Sequence, residues 1–135
     1  IKPKKIYLGE KDMQQLKIIE HFVKKNHIRT KVVSCKTIRE RNGIAFSSRN
    51  FLLSTKDRVT ASKIYKLLLN RKKNIIKNKF FLRKIKNDLL KFGIKKIDYI
   101  EILDINKIIR PYKKINKYKI FVAYYLGTTR LIDNI

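Results

Sequence analysis

Two short polar segments contain the residues whose types and spacing could bind a phosphorylated ligand. The first is Gly9-Glu10-Lys11-Asp12, which stands between a strand pattern and a helix pattern. Helix N-termini direct unpaired N–H groups at anions, Gly9 allows close approach of the backbone, and Asp12 can accept from sugar hydroxyls. Gln15 lies one helical turn beyond Lys11 and could reach the same ligand. The alternative interpretation is a capped helix start with solvated charges.

The second candidate is Ser47-Ser48-Arg49-Asn50. Two hydroxyl groups beside a guanidinium group favour an anion ligand, because Arg can bind phosphate through two parallel hydrogen bonds. The alternative here is an ordinary polar turn ahead of a helix. Either segment could therefore contact phosphate, and neither is specific when taken alone.

The elements around the first segment predict a parallel α/β unit. Residues 5–8 read as a short strand, and Leu16, Ile19 and Val23 form an apolar stripe at helical spacing before residue 26. A β-branched strand follows at residues 31–36, so the order is strand, helix, strand. Ligands of such sheets bind beyond the carboxyl ends of the strands, which is where Gly9 lies.

The chain changes character near Asn50. Ser54 and Asp57 have the spacing of a capping box for a helix at 55–70, with apolar residues facing inward. A second helix at 75–92 is predicted to end at Gly93. Strands follow at 97–103, 118–126 and 131–135. We therefore expect two domains, an α/β part at 1–50 and a small α+β part at 51–135. The inward residues of the first helix are expected to be Val59, Ile64, Leu67 and Leu68.

The net charge is +25 in 135 residues, from 35 basic and 10 acidic side chains. A basic nucleic-acid-binding module, with 71–86 as its footprint, is the alternative function. The basic residues are spread almost evenly, however, and Lys, Ile and Asn all have A- and T-rich codons, so codon bias is the simpler explanation. The longest apolar run, 120–126, is too short for a bilayer. Cys35 is the single cysteine, so an internal disulfide is excluded; we expect a cytoplasmic protein with Cys35 in the core.

Three segments taken together resemble the pantothenate synthetases, or pantoate-β-alanine ligases. They are Gly-Glu-Lys-Asp-Met-Gln-Gln-Leu at 9–16, Gly-Ile-Ala-Phe-Ser-Ser-Arg-Asn at 43–50, and Gly-Thr-Thr-Arg-Leu-Ile-Asp-Asn at 127–134. The resemblance implies the carboxy-terminal half of a two-domain, homodimeric ligase. Its fold would be the end of a Rossmann-like nucleotide-binding sheet, followed by a small α+β domain with a short antiparallel sheet. Its substrates would be pantoate, β-alanine and ATP with Mg²⁺, and a pantoyl adenylate would be the intermediate.

The resemblance also implies a role for each matching residue. Lys11, Ser47 and Arg49 would be catalytic, because they would neutralise the phosphates and the leaving pyrophosphate. Gln15 would hydrogen-bond pantoate, and no residue of this chain would be a metal ligand. The chain departs from the family at Leu8 and Phe46, where Phe and Met are common; both changes stay apolar. The full ATP-binding set would be Gly9, Glu10, Lys11, Asp12, Ile38, Phe46, Ser47, Ser48 and Arg49.

A third possibility is a degenerate homologue with a structural role. Because the resemblance places the remaining ATP and pantoate contacts in an amino-terminal half, we expect the 135 residues alone to have little or no synthetase activity. Binding of ATP by the complete protein would argue against a purely structural role.

Overall fold

The computed structural model describes residues 2–73, 81–105 and 118–135. It divides the chain into two compact units, Ile1–Ile38 and Arg39–Ile135. The division falls at Ile38, whereas the sequence predicted a domain boundary at residue 50. Residues 39–50 group with the second unit because Arg39 bridges to Ala45 and pairs with Asp133 near the end of the chain.

The first unit contains the predicted strand–helix–strand arrangement. Strand β1 (Lys5–Gly9) leads through a short 3₁₀ helix (Glu10–Asp12) into helix α1 (Met13–Lys25), and strand β2 (Lys31–Cys35) follows. β1 and β2 pair in parallel, with Gly9 opposite Cys35. This agrees with the α/β prediction for the front of the chain.

The apolar stripe of α1 is buried only in part: Leu16 is 2% exposed, and Ile19 and Val23 are half-buried. Met13 and Leu16 are buried, whereas Phe22 is 54% exposed. In β2 the two valines are half-buried, and Cys35 at the carboxyl end of the strand is exposed. The expectation of a core cysteine is therefore wrong, because no described residue buries the Cys35 side chain at this end of β2.

The second unit packs two helices against a three-stranded antiparallel sheet. Its elements are α2 (Thr55–Lys72), α3 (Phe81–Lys91), β3 (Lys96–Asp104), β4 (Tyr118–Leu126) and β5 (Thr129–Asn134). The strands lie in the order β3-β4-β5. This confirms a mixed α/β fold with a short antiparallel sheet. The predicted helix at 75–92 is seen from Phe81 onward, and its residues 75–80 lie outside the described part of the chain.

The core of the second unit lies between α2, α3 and the central strand β4. Its most buried side chains are 0–1% exposed and come from all three elements: Ile64, Leu68, Ile85, Leu89, Ile120 and Val122. Burial raises the pKa of the Tyr124 phenol well above its ordinary value, and the nearby Asp133 carboxylate raises it further. Tyr124 therefore stays protonated within this core.

Most local predictions for α2 and α3 are confirmed, and one is wrong. The N–H of Asp57 donates to Ser54 Oγ at 3.1 Å, which is the predicted cap. Gly93 ends α3 with φ of +81°, as predicted. Val59 was expected inward but is 52% exposed. It lies nearly opposite Ala61 at about 3.6 residues per turn, and Ala61 starts the buried stripe.

Among the described residues, no helix has both the length and the apolar character needed to span a bilayer.

Candidate functional site

Gly9 marks the point where β1 ends and the first candidate segment begins. Its backbone has φ of −72° and ψ of 134°, which any L-residue adopts. A Cβ built on Gly9 would meet no other atom within 4 Å. The conformation of the chain does not require glycine here, and the space that a side chain would occupy is open. A ligand can therefore approach this part of the backbone closely.

Asp12 occupies the N-cap position of α1 without capping it. Its side chain makes no hydrogen bond to the first turn of the helix, and the residue is exposed. The alternative of a capped helix start therefore finds no support at Asp12. Gln15 is exposed in the first turn of α1, while Glu10 and Lys11 are half-buried. Two hydrogen-bonding side chains, Asp12 and Gln15, thus face solvent at this helix N-terminus.

Ile38 follows the neighbouring parallel strand. Because Gly9 lies opposite Cys35 in the register, the segments that follow β1 and β2 leave the sheet at the same edge. Ile38 is 76% exposed, so its predicted role depends on backbone groups rather than on a buried side chain. The first unit therefore places Gly9–Asp12 and the segment before Ile38 at one sheet edge.

The second candidate segment forms an exposed loop in the second unit, which we name the phosphate loop (Phe46–Arg49) after the role predicted for it. Phe46 is 61% exposed, Ser48 and Arg49 are exposed, and Ser47 is half-buried. Ser47 Oγ accepts from the Arg49 N–H at 3.3 Å and begins a 3₁₀ helix over Ser48–Leu52. The hydroxyl hydrogen of Ser47 remains able to donate to a ligand.

Sequence reasoning missed the residues that hold the base of this loop. Asn50 is only 2% exposed; its Nδ2 donates to Glu40 Oε1 at 2.6 Å and to the Ala45 carbonyl at 3.1 Å. Arg58 on α2 donates to Glu40 Oε2 at 3.1 Å and to the Asn50 carbonyl at 2.7 Å. Asn50 stood in the polar segment read from the sequence, but no spacing rule pairs Glu40 with a helix residue eighteen positions later.

Arg39 anchors the segment before the phosphate loop. Its guanidinium donates to both carboxylate oxygens of Asp133, at 2.7 and 3.0 Å, and to the Gly43 carbonyl at 3.1 Å. It also stacks over the Tyr65 ring, 4.4 Å from the centroid. Gly43 has φ of +91°, and a Cβ there would overlap that ring. The segment 39–45 is therefore tied to both β5 and α2.

Clusters of acidic, His and Cys side chains commonly hold metal ions in proteins. Within 2–73, 81–105 and 118–135, no group of three His, Cys, Asp or Glu side chains could hold a metal ion.

In the basic stretch 71–86, Arg71 pairs with Asp88 at 2.7 Å, and residues 74–80 lie outside the described part. Since Arg71 already pairs with a carboxylate, its charge is partly neutralised within the fold.

The family model described as pantoate-beta-alanine ligase matches residues 1–135. The chain belongs to the pantoate-beta-alanine ligase family. The resemblance drawn from segments 9–16, 43–50 and 127–134 is thereby confirmed. The roles assigned to individual residues remain predictions.

Relatives of this chain include a curated pantothenate synthetase of Sulfurihydrogenibium sp., 40% identical over 143 residues; the match covers 98% of this chain and 49% of the relative. The crystal structure of pantothenate synthetase from Thermus thermophilus has a TM-score of 0.87 at 30% identity, covering 98% of this chain and 49% of that one. The chain therefore spans about half the length of these relatives.

A third relative was solved with ligands. The pantoate-beta-alanine ligase of Francisella tularensis, complexed with beta-gamma ATP and beta-alanine, has a TM-score of 0.71 at 36% identity. The match covers 99% of this chain and 44% of that chain. These ligands belong to that protein, and they define the chemistry to test in this one.

Proposed function

We propose that this chain is the carboxy-terminal half of a pantothenate synthetase, which joins pantoate to β-alanine at the expense of ATP. The family match over residues 1–135 is the observation that carries the proposal. The wider expectations of the family accompany it: a Rossmann-like nucleotide-binding domain, a homodimer, and a cytoplasmic location. The other half of the site would come from the remainder of the protein.

The proposed reaction has two steps. A carboxylate oxygen of pantoate attacks the α-phosphorus of ATP, and the bond to the bridging oxygen breaks to release pyrophosphate. The amine of β-alanine then attacks the acyl carbon, loses a proton, and displaces AMP. Charge accumulates on phosphate oxygens in the first step, so positioned cations and N–H groups accelerate it most.

Lys11, Ser47, Ser48 and Arg49 supply this charge stabilisation in the proposal. Lys11 acts as a point charge, whereas Arg49 can bind two phosphate oxygens at once. The exposure of Ser48 and Arg49 and the donor left on Ser47 support this assignment. Phe46 borders the phosphates as the apolar member of the loop.

The first unit would bind the nucleoside and pantoate. Gly9 and Asp12 would contact the ribose side of ATP, and Glu10 would belong to the same ATP-binding set. Ile38 would contact adenine through its backbone, and Gln15 would hydrogen-bond pantoate. The open space at Gly9 and the uncapped helix start at Asp12 support these roles. Mg²⁺ would be bound to the phosphates of ATP, which are the oxygen ligands it commonly takes in such sites.

The direct test uses the protein translated from the complete reading frame that contains residues 1–135. We expect it to form pantothenate, AMP and pyrophosphate in equal amounts from pantoate, β-alanine and ATP. The 135 residues alone are expected to show little or no turnover. Absence of pantothenate from the complete protein would overturn the proposal, and robust turnover by the 135 residues would contradict the assignment of half a site.

The role of Lys11 has its own test. Lys11→Ala in the complete protein should slow pyrophosphate release in a single turnover by about 10- to 100-fold, since it removes one charged contact to phosphate. Lys24→Ala is the matched control, because it removes the same charge from an exposed position in the last turn of α1. An unchanged adenylation rate in Lys11→Ala would contradict the role given to Lys11.

A further inference from the structure

The base of the phosphate loop is closed by a network of three side chains outside the loop. We propose that Glu40 is a positioning residue, which acts through Asn50 and Arg58 to hold the phosphate loop in the shape that binds ATP. This inference rests on the proposed function for its link to ATP. The contacts themselves belong entirely to the second unit.

Glu40 uses both carboxylate oxygens. Oε1 accepts from Asn50 Nδ2 at 2.6 Å, and Oε2 accepts from Arg58 at 3.1 Å and from Asn42 Nδ2 at 3.3 Å. The same Asn50 amide donates to the Ala45 carbonyl at 3.1 Å. The residue that follows the loop is thus bonded to the residue that precedes it, with four residues between them.

The orientation of Asn50 depends on these two Nδ2 contacts. Its Oδ1 is buried without a hydrogen-bond partner among the described residues, and both Nδ2 partners are acceptors. The amide therefore cannot rotate by 180° without placing Oδ1 against the oxygens of Glu40 and Ala45. Removing the carboxylate of Glu40 removes the charge-assisted member of this pair of bonds.

Arg58 connects the network to a rigid element. Its second nitrogen donates to the Asn50 carbonyl at 2.7 Å, and α2 is anchored in the core by Ala61, Ile64 and Leu68, each 1% exposed. Charge-assisted bonds of this kind are roughly twice as strong as neutral ones. The end of the loop is therefore fixed to a packed helix.

The effect on ATP follows from the exposure of the loop. Ser48 and Arg49 are exposed, so core packing does not fix them and their positions depend on the tied ends of the loop. A displacement of about 1 Å at a charge-stabilising group can cost on the order of 100-fold in rate. Loosening the base would therefore weaken phosphate contacts while leaving the pantoate contacts unchanged.

Glu40→Gln is the informative substitution because it keeps the shape of the side chain. The amide oxygen can still accept from Asn50, but the new NH₂ group faces the donors of Arg58, so the ion pair is lost. Asp88→Asn is the matched control. It breaks the ion pair of Asp88 with Arg71 near the carboxyl end of α2. The side chains of Arg71 and Asp88 are 30% and 18% exposed, which matches the 33% and 18% of Arg58 and Glu40.

Hydrogen–deuterium exchange followed by mass spectrometry tests the structural part in the complete protein without ATP. The N–H of Asn50 donates to the Ser47 carbonyl and that of Leu53 to the Asn50 carbonyl. Glu40→Gln should speed exchange of these amides by about tenfold, because one charge-assisted hydrogen bond is lost. Asp88→Asn should leave them unchanged. Unchanged exchange in Glu40→Gln, or an equal rise in both variants, would overturn the proposal.

Steady-state kinetics of adenylation test the link to ATP. Glu40→Gln should raise KM for ATP about tenfold, by loss of one charged interaction, and leave KM for pantoate within about twofold. An unchanged KM for ATP, with faster loop exchange, would overturn the proposed link. If the wild-type protein forms no adenylate, the proposed function fails, and the exchange experiment still decides whether Glu40 holds the loop.

A second substitution covers the case in which Glu40→Gln does not fold. Arg58→Lys keeps the positive charge beside Glu40 but cannot also reach the Asn50 carbonyl with a second planar donor. We expect a smaller rise in loop exchange and in KM for ATP, in the same direction. Wild-type values for both quantities in Arg58→Lys would count against the network.

Discussion

The Gly9→Ala substitution separates a requirement of the fold from a requirement of the ligand. The backbone of Gly9 has φ of −72° and ψ of 134°, and an added Cβ would meet nothing within 4 Å. Alanine therefore fits without strain. Because alanine also loses less chain entropy on folding, the free energy of unfolding should be unchanged or higher by about 0.4–1 kcal/mol.

The expected cost of Gly9→Ala appears only with ATP. If the ribose side of ATP lies against this backbone, the new methyl group occupies the open space and prevents the close approach. Loss of one hydrogen bond to the ligand corresponds to about 1–2 kcal/mol, which is about 5- to 30-fold in KM for ATP. KM for pantoate should stay near its wild-type value.

The assay pairs urea unfolding of the 135-residue chain with adenylation kinetics of the complete protein. Gly93→Ala is the control with the opposite pattern. Its Cβ would also meet nothing within 4 Å, but φ is +81°, so it should lose about 1 kcal/mol of stability without changing KM for ATP. An unaltered KM for ATP in Gly9→Ala would refute the close approach, and a large loss of stability would refute the reasoning about its backbone.

Three further predictions concern the second unit. Gly43→Ala should lower the free energy of unfolding by about 2–5 kcal/mol, from positive φ and overlap with Tyr65; a loss below about 1 kcal/mol in urea unfolding would contradict this. Asp133→Asn should lower the free energy of unfolding by about 2–3 kcal/mol, because half-buried Arg39 loses its carboxylate partner. The same urea titration measures this loss, and an unchanged free energy of unfolding would contradict the anchoring role of Arg39. Because the pKa of Tyr124 is raised in the fold, the folded phenol keeps its proton where the unfolded phenol ionises, above about pH 10. The stability of the fold is therefore constant below about pH 10 with respect to this group and falls above it. Tyr124→Phe should therefore lose less stability than wild type between about pH 9 and 11, and equal slopes would contradict this.

Local patterns predicted the elements well. Ser54 and Asp57 are three residues apart, and their hydrogen bond depends only on that spacing. Gly93 follows the last turn of α3 because glycine readily adopts the positive φ that ends a helix, which is also a local property. The parallel unit was also predictable, because strand, helix and strand follow in order within the first 36 residues. Such features require no contact with a distant part of the chain.

Burial was less predictable than the elements. Val59 and Cys35 are both apolar and stand in predicted elements, yet both are exposed. Which side of a helix faces the core depends on the phase of the whole stripe, and which end of a strand is covered depends on what packs against it. The sequence contains all of these residues, but it does not show which of them pack against one another.

The sequence by itself determined the family and the candidate ligand groups, because three short segments hold the matching residues in consecutive order. Only the tertiary structure decided how the phosphate loop is held. Glu40 precedes this loop, Asn50 follows it and Arg58 lies on α2. Arg39 pairs with Asp133 across 94 positions. Contacts between such distant positions form only when the chain folds back on itself, so they have no periodicity or local spacing from which they could be read.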